Sequence, residues 1–256
     1  MKEKLKLFIP KMIGGLIAVV LACYGVNIFL FGGCKLIEEY EVHEDGYFQY
    51  IIMGNPSRYP YPNGRGEAVV AIVGLTESGK EQEAIAIPRE IDGMPVLRVG
   101  YTDDVCHNEY YIESENLKKL YVLDNIINIT NFEAKGTDLM LCSLNENLGT
   151  YGAYFQKRYF YRAMLDDMNE EESNGYYPAN IVFMNNYSAE MNRGYYWLDN
   201  IMMGEIISLP PMPERNGYEF TGWYTEPECI NAWDFKTSPV IDFSSEFRLY
   251  AGWRTI

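Results

Sequence analysis

The chain has 256 residues, of which 48% are hydrophobic and 15% aromatic, a composition that excludes a disordered protein and allows two modest domains. Its formal net charge at pH 7 is -15; residues 1–11 hold +3 and residues 12–33 hold none, so the remainder holds -15 minus +3, or -18. Because so acidic a body repels phosphate backbones, we expect no nucleic acid partner.

Residues 12–33 form an uninterrupted run without a charged side chain. The run is long enough to cross the hydrocarbon core of a bilayer as a helix, and longer than the apolar region of a cleavable signal peptide. Lysines precede it, and Glu38 and Glu39 follow it. This charge pattern predicts a cytoplasmic tail at 1–11, a transmembrane helix or signal anchor at 12–33 and an extracellular body.

The cysteines add a second way of attaching the chain to the membrane. Cys23 and Cys34 each follow small or apolar residues, in loose versions of the bacterial lipobox, where a cysteine is lipidated. We retain Cys34 as the candidate lipidation site, as an alternative to an uncleaved helix. No C-x-x-C pair is present, so neither a zinc site nor a disulfide framework is predicted. Residues 34–45 are then expected to form a short charged tether.

Folded structure is predicted to start with strands at 46–52 and 68–73, where aromatic and β-branched residues are concentrated. Residues 74–80 fit the phosphate-binding pattern G-x-x-x-x-G-K. That pattern needs Ser or Thr next, and Glu81 would repel phosphates instead. We therefore expect a hairpin turn at 74–80 and a returning strand at 81–87, without nucleotide binding.

Residues 85–100 contain an Ile-Pro step followed by V-L-R-V-G, and residues 117–129 have a similar form. Leu139 starts a third apolar segment 19 residues after Leu120. This pattern resembles leucine-rich repeats of the BspA type, which implies that residues 46–165 lay successive short strands side by side. A generic mixed α/β domain is the alternative.

The stretch between the two predicted domains has two parts. Residues 151–165 have apolar positions at helical spacing, which predicts a helix. Residues 166–178 are rich in acidic residues and are predicted to be a solvated interdomain linker. A calcium loop is less consistent with them, because it needs alternating oxygen ligands around a central glycine.

The last stretch combines the pattern G-Y-x-F-x-G-W-Y-x-x-x-x-C with W-D-F and a closing L-Y-A-x-W. It resembles the internalin-type B-repeat, or Listeria–Bacteroides repeat, which implies a small β-grasp-like module of a bacterial surface protein at residues 179–256. The motif residues are Gly217, Tyr218, Phe220, Gly222, Trp223, Tyr224, Trp233 and Trp253. We expect them to be structural, with a sugar-stacking pocket at the tryptophans as the alternative.

The predicted fold is mainly β (α+β): a transmembrane helix, a short irregular leucine-rich-repeat-like domain and a C-terminal B-repeat module. His43 and His107 suggest no catalytic pair, and no catalytic, cofactor-binding or metal-binding residues are predicted. We therefore expect a non-enzymatic binding or adhesion protein on the cell surface. It would be anchored in the membrane through residues 12–33 and would recognise a protein or glycan ligand. The alternatives are an envelope hydrolase using a carboxylate pair and a purely structural spacer.

Overall fold

The computed structural model describes residues 40–53, 68–103, 108–143, 148–187, 191–240, 242 and 244–256. The expected membrane helix at 12–33 and Cys34 lie outside these ranges. Within them, no helix combines the length and the apolar character needed to cross a bilayer. Strands account for 44% of the structure and helices for 5%, so the fold is mainly β, as predicted.

The chain divides into two compact units, Met1–Glu41 with Thr102–Glu109, and Val42–Tyr101 with Tyr110–Ile256. The second unit contains the sheets described below. The strands are β1 (Val42–Asp45), β2 (Phe48–Met53), β3 (Val69–Leu75), β4 (Ala84–Ala86), β5 (Glu90–Ile91), β6 (Met94–Val99), β7 (Tyr101–Asp103), β8 (Asn108–Tyr110), β9 (Lys119–Val122), β10 (Asn128–Phe132), β11 (Asp138–Leu141), β12 (Gly149–Ala153), β13 (Arg158–Phe160), β14 (Tyr176–Pro178), β15 (Ile181–Met184), β16 (Tyr195–Asp199), β17 (Tyr218–Tyr224) and β18 (Phe247–Thr255). The helices are α1 (Glu77–Lys80), α2 (Arg162–Leu165) and a 3₁₀ turn, Met191–Gly194.

Two sheets built largely from parallel strands face each other across a common core. Sheet A has the order β1-β2-β3-β6-β10-β12, parallel from β3 onward, and sheet B has the order β14-β13-β11-β9-β4, parallel throughout. From β4 to β12 the chain passes back and forth between the two sheets. We call one passage through a strand of sheet B and the following strand of sheet A a circuit. Each circuit thus adds one strand to sheet B and one strand to sheet A. Leu120 and Leu139 are cross-strand partners, which confirms that the 19-residue spacing is structural.

Aliphatic side chains at matching positions of successive circuits form the core. Ile85, Leu120 and Leu139 of sheet B and Val96 and Ile129 of sheet A are almost completely buried. Fully burying one such side chain contributes roughly 1.5–3 kcal/mol relative to leaving it in water. This stack of buried aliphatic residues, repeated once per circuit, therefore holds the two sheets together.

The circuits also share a left-handed residue at the end of their sheet A strands: Gly100 directly after β6, Asn131 near the end of β10 and Gly152 near the end of β12. Gly100, Asn131 and Gly152 have φ values of +74°, +50° and +64°, in the region that favours glycine and asparagine. A Cβ atom on Gly100 would lie 1.7 Å from the carbonyl oxygen of Thr130. The close approach of successive circuits therefore requires glycine at this position.

The predicted strands at 46–52 and 68–73 are confirmed as β2 and β3, but the hairpin turn at 74–80 is wrong. Strands β3 and β4 lie in different sheets, and α1 lies between them. The Thr76 hydroxyl caps this helix by accepting from the Gly79 N–H at 3.1 Å. Lys80 Nζ lies 2.7 Å from a carboxylate oxygen of Glu77. The segment is thus a capped corner of the chain.

Three further boundaries differ from the sequence-based expectations. Part of the predicted tether, residues 42–45, forms β1, because Gly46 at φ +54° allows a two-residue turn into β2. The predicted helix at 151–165 is wrong for most of its length: residues 151–153 and 158–160 belong to β12 and β13, which pair with neighbouring circuits, and only residues 162–165 form a helix, α2. Residues 176–178 of the predicted linker form β14, the last strand of sheet B.

The C-terminal residues form a separate four-stranded sheet with the order β16-β15-β18-β17. Its two central strands, β15 and β18, are parallel, and both outer strands pair antiparallel with them. Ile181, Val182 and Phe183 of β15 are fully buried, as expected for a central strand covered on both faces. The long strand β18 carries the last motif tryptophan, Trp253, to the same sheet.

Candidate binding surfaces

Trp223 lies in the outer strand β17, and its side chain is buried in the core of the C-terminal sheet. Only 3% of its surface is exposed, and its ring packs edge-on against Phe183 and Phe220, with centroids 4.9 Å and 5.3 Å away. Such edge-to-face pairs stabilise a core beyond the area that they bury. A sugar could not stack on a ring with no free face, so Trp223 is a core residue.

The other two motif tryptophans are half-buried. The Trp253 indole N–H donates to the carbonyl oxygen of Asn185 at 2.6 Å, and the Trp233 ring packs edge-on against Phe247. The Trp233 backbone N–H donates to the Trp223 carbonyl at 2.8 Å. Both rings thus help to fasten loops to the sheet, and the structure brings all three motif tryptophans to one module.

The motif glycines allow backbone conformations that other residues rarely adopt. Gly217 and Gly222 have φ values of +77° and +133°, and Gly222 lies at an irregularity in the β17–β18 register, opposite Gly252. A Cβ atom on Gly252 would meet the Tyr224 ring at 2.3 Å. Tyr224 therefore covers the backbone that the glycine leaves bare. The Arg215 guanidinium lies over the Tyr218 ring, 3.7 Å from the ring centroid.

Residues 180–252 match the Listeria–Bacteroides repeat domain. We call residues 179–256 the repeat domain from here on. The match does not reach the two parallel sheets, so their leucine-rich-repeat assignment stays a prediction.

Two curated relatives, both from Evansella cellulosilytica, are each 44% identical to the chain over 50 residues, or 20% of its length. Their names are "Putative Gly-rich membrane protein" and "Putative membrane protein". The aligned segment spans only 5% and 7% of these two proteins. No solved structure matches the chain.

The repeat domain is fastened to sheet B by a buried polar cluster. One carboxylate oxygen of Asp199, in β16, accepts hydrogen bonds from Lys119 Nζ at 2.6 Å and from the Tyr121 hydroxyl at 2.9 Å, both in β9. The Asn200 N–H adds a third donor at 2.7 Å. Burial, followed by the charge of Asp199, raises the pKa of Tyr121, which therefore remains a neutral donor.

Aromatic stacking reinforces this junction. The Tyr121 ring stacks on Trp197 at 4.9 Å, and the Tyr161 ring stacks on Tyr195 at 4.3 Å. In addition, the Glu246 carboxylate accepts from the Arg162 N–H at 3.0 Å, at the start of α2. The parallel sheets and the repeat domain are consequently packed together, and do not hang from each other by residues 166–178 as expected.

An apolar ridge runs along an irregular segment of the repeat domain. We define the ridge as Ile206, Leu209 and Met212, which are 54%, 68% and 70% exposed. The residues that follow each of them, Ile207, Pro210 and Pro213, are buried. This period of three matches a polyproline II segment, which has three residues per turn. One row of side chains thus anchors the segment while another faces water.

Hydrogen bonds hold the ridge segment in place. The Tyr196 hydroxyl donates to the Pro211 carbonyl at 2.9 Å, and the Ser238 hydroxyl donates to the Glu205 carbonyl at 2.8 Å. Burial raises the pKa of Tyr196 to about 12, so this donor stays protonated at physiological pH. Met202 and Met203, 71% and 75% exposed, precede the ridge. A pre-ordered apolar surface costs little ordering entropy when it binds.

The sequence analysis did not identify the ridge, whose segment includes Pro210, Pro211 and Pro213. Its signal was present: apolar residues recur every third position beside prolines that favour the polyproline II conformation. For metal binding, the described residues contain no group of three or more histidine, cysteine or acidic side chains that could hold an ion.

Proposed function

We propose that this chain is a membrane-anchored extracellular binding protein that grips a protein ligand with the apolar ridge, without catalysis. The observation that carries the proposal is the ridge itself. Its side chains face water although the segment beneath them is anchored by buried residues and hydrogen bonds. Contiguous exposed apolar side chains of this kind mark interaction sites.

The chemistry of the ridge favours a protein over a glycan. Ile206, Leu209 and Met212 offer aliphatic and thioether groups, which suit an apolar patch on a partner, and methionine adapts to irregular surfaces. Glycan recognition instead uses exposed aromatic faces with polar groups beside them, and the ridge has no aromatic side chain. In this proposal residues 12–33 anchor the chain, which the membrane-protein names of the two relatives support, and the ridge faces the outside of the cell.

The test uses the full chain in detergent micelles or nanodiscs, immobilised on a biosensor. Purified extracellular matrix proteins, cell-envelope proteins and glycans are passed over it. We expect a protein ligand to bind, and the triple variant Ile206→Ser/Leu209→Ser/Met212→Ser to bind it at least about tenfold more weakly, because hot-spot side chains contribute about 2 kcal/mol or more each.

Ile230→Ser is the matched control. Ile230 is also a strongly exposed aliphatic residue of the repeat domain, but it lies outside the ridge, so this variant should bind normally. A ligand that binds the triple variant as tightly as the native chain, or retention of glycans alone, would refute the proposal.

A purely structural spacer is the second candidate. The Asp199 cluster and the stacked aromatic rings join the repeat domain closely to sheet B, as a spacer of fixed length would require. If no protein or glycan binds the native chain in the biosensor panel, the spacer becomes the better account.

A further inference from the structure

Sheet A stops earlier than sheet B at the C-terminal end of the stack. Strand β12 is the last strand of sheet A, and it belongs to the same circuit as β11 of sheet B. Sheet B continues with β13 and β14, whereas the chain between those two strands forms α2 and turns. Among the described residues, no strand pairs with the outer side of β12. The place where the next circuit would add a strand to sheet A is therefore open.

Within the described parts of the chain, the outer side of β12 has no hydrogen-bonded neighbouring strand. In a parallel ladder, alternate residues direct their N–H and C=O groups to the same neighbouring strand. The Gly149 N–H donates to the Ile127 carbonyl at 3.1 Å, so Gly149, Tyr151 and Ala153 face β10. Thr150 consequently directs its backbone N–H and C=O outward, as a template for an added strand.

Two tyrosines flank this edge. Tyr151 and Tyr154 are 70% and 84% exposed, although a phenol ring would be expected to bury much of its area. Tyrosine provides contact area at low entropic cost and can also donate a hydrogen bond. Behind them, Phe155 stacks on Phe132 at 5.1 Å, which fixes the loop that carries Tyr154.

A cationic side chain lies against the edge strand. Residues 149–158 include Lys157 and Arg158 and no acidic residue, and Arg158 reaches the edge strand by donating to the Thr150 hydroxyl at 3.2 Å. Lys135 lies in the adjoining turn, because the Gln156 N–H donates to the Thr137 carbonyl at 2.8 Å. Arg158 is therefore the cation at the edge strand, whereas Lys157 Nζ lies 5.4 Å from the Tyr177 ring centroid in β14 and Lys135 shares its turn with Glu133.

We propose that the outer edge of β12 binds an extended, acidic peptide segment of a partner protein, which adds to sheet A as a parallel strand. The outward backbone groups of Thr150 fix the strand conformation, Tyr151 and Tyr154 cover its side chains, and Arg158 selects acidic residues. This is strand addition to a sheet edge, a recognised mode of peptide binding. It is independent of the apolar ridge.

The test measures fluorescence anisotropy of three labelled ten-residue probes titrated with the full chain in detergent. The first probe alternates Glu with Val or Thr, the second replaces Glu by Lys, and the third is the acidic probe with two central prolines. We expect only the first probe to bind. Its affinity should fall at least tenfold for the Thr150→Pro variant, because proline removes the outward N–H of residue 150 and leaves the hydrogen bonds between β12 and β10 in place.

Thr150→Ala controls for loss of the hydroxyl bonded by Arg158, and should keep most of the affinity. Tyr151→Ser/Tyr154→Ser should weaken binding, and Tyr47→Ser, at another exposed tyrosine, should not. Equal binding of the proline probe, equal binding by Thr150→Pro, or no binding of the acidic probe would overturn the proposal. Because the ridge variants leave this edge intact, failure here and failure of the proposed function are distinguishable.

Discussion

Lys119 and Asp199 lie 80 residues apart in the sequence, yet the Lys119 Nζ atom is 2.6 Å from a carboxylate oxygen of Asp199. The lysine is in sheet B and the aspartate is in the repeat domain. The Asp199 side chain is almost completely buried, and its charge is matched by Lys119 and by the Tyr121 hydroxyl. The pair therefore joins the two parts of the chain through a desolvated contact.

Removing one member of this pair should be costly. In Asp199→Ala, the partly buried Lys119 and the buried Tyr121 hydroxyl lose their shared acceptor, and we expect the free energy of unfolding to fall by about 3 kcal/mol. Urea unfolding of the full chain in detergent, followed by tryptophan fluorescence, measures the change, since all four tryptophans lie in the repeat domain.

The neighbouring lysine provides a matched control. Lys118 Nζ lies 2.6 Å from a Glu83 carboxylate oxygen, the same distance, but both side chains are about two-thirds exposed. Glu83→Ala should therefore cost no more than about 1 kcal/mol. Equal losses in the free energy of unfolding for Asp199→Ala and Glu83→Ala would show that burial does not strengthen the Lys119–Asp199 pair.

The corner at Gly100 should tolerate no side chain. Gly100→Ala would place a Cβ atom 1.7 Å from the Thr130 carbonyl at a φ of +74°, so the circuits would have to move apart. We expect a loss well above the roughly 1–2 kcal/mol that the left-handed conformation alone costs. Gly136→Ala isolates that smaller cost, because Gly136 has φ +84° and open space around its Cβ position. Thermal unfolding of the two variants should separate them, and similar losses would argue against close stacking of the circuits.

The alternation of the ridge segment can be tested at two adjacent isoleucines. Ile207 is 1% exposed and Ile206 is exposed. We expect Ile207→Ala to destabilise the chain by about 2–4 kcal/mol, because it leaves a cavity, and Ile206→Ala to change stability by no more than about 0.5 kcal/mol. Denaturant unfolding compares the two variants. Equal losses in the free energy of unfolding for the two variants would contradict the alternation of buried and exposed side chains along the ridge segment.

Glu226 predicts an acid-dependent stability. Its carboxylate accepts from the Thr225 hydroxyl and from the Asn231 and Ile230 N–H groups, which lower its pKa to about 2. This folded pKa lies below the ordinary value of about 4.3. Its contribution to stability is therefore complete above that ordinary value and is lost as the pH falls towards 2.

Glu226→Gln removes the charge and with it the pH dependence of these hydrogen bonds. The difference in Tm between the native chain and the variant should be largest at pH 6 and should shrink between pH 4 and pH 2.5. Thermal unfolding in matched buffers measures this difference in Tm. Because all other titratable groups are the same in both proteins, their effects on Tm cancel in the difference. A difference that stays constant over this pH range would contradict the assignment.

Local patterns were enough to predict part of the fold. The β-branched run at 68–73 predicted the buried strand β3. The 19-residue step from Leu120 to Leu139 predicted two buried leucines at matching positions of successive strands. The segment at 151–165 failed because its apolar spacing fits a helix equally well. Pairing with β10 makes residues 151–153 a strand, pairing with β11 makes residues 158–160 another, and only residues 162–165 form the helix α2.

The candidate sites were less accessible from the sequence. The repeat motif located the buried Trp223 and the half-buried Trp233 and Trp253, since its glycines and aromatic residues are close together in the chain. The junction of Lys119 with Asp199 depends on how two distant segments pack, and no local pattern encodes that contact. The exposure of Tyr151 and Tyr154 likewise depends on sheet A ending at β12.

The central claim is that the described body lies outside the cell, held by the N-terminal segment. Val240 is 96% exposed, so Val240→Cys should react with a membrane-impermeant maleimide on intact cells, beyond the labelling of the parent chain. Lys6→Cys, in the predicted cytoplasmic tail, should react only after the cells are permeabilised. Labelling of Val240→Cys only after permeabilisation, or of Lys6→Cys on intact cells, would contradict the account.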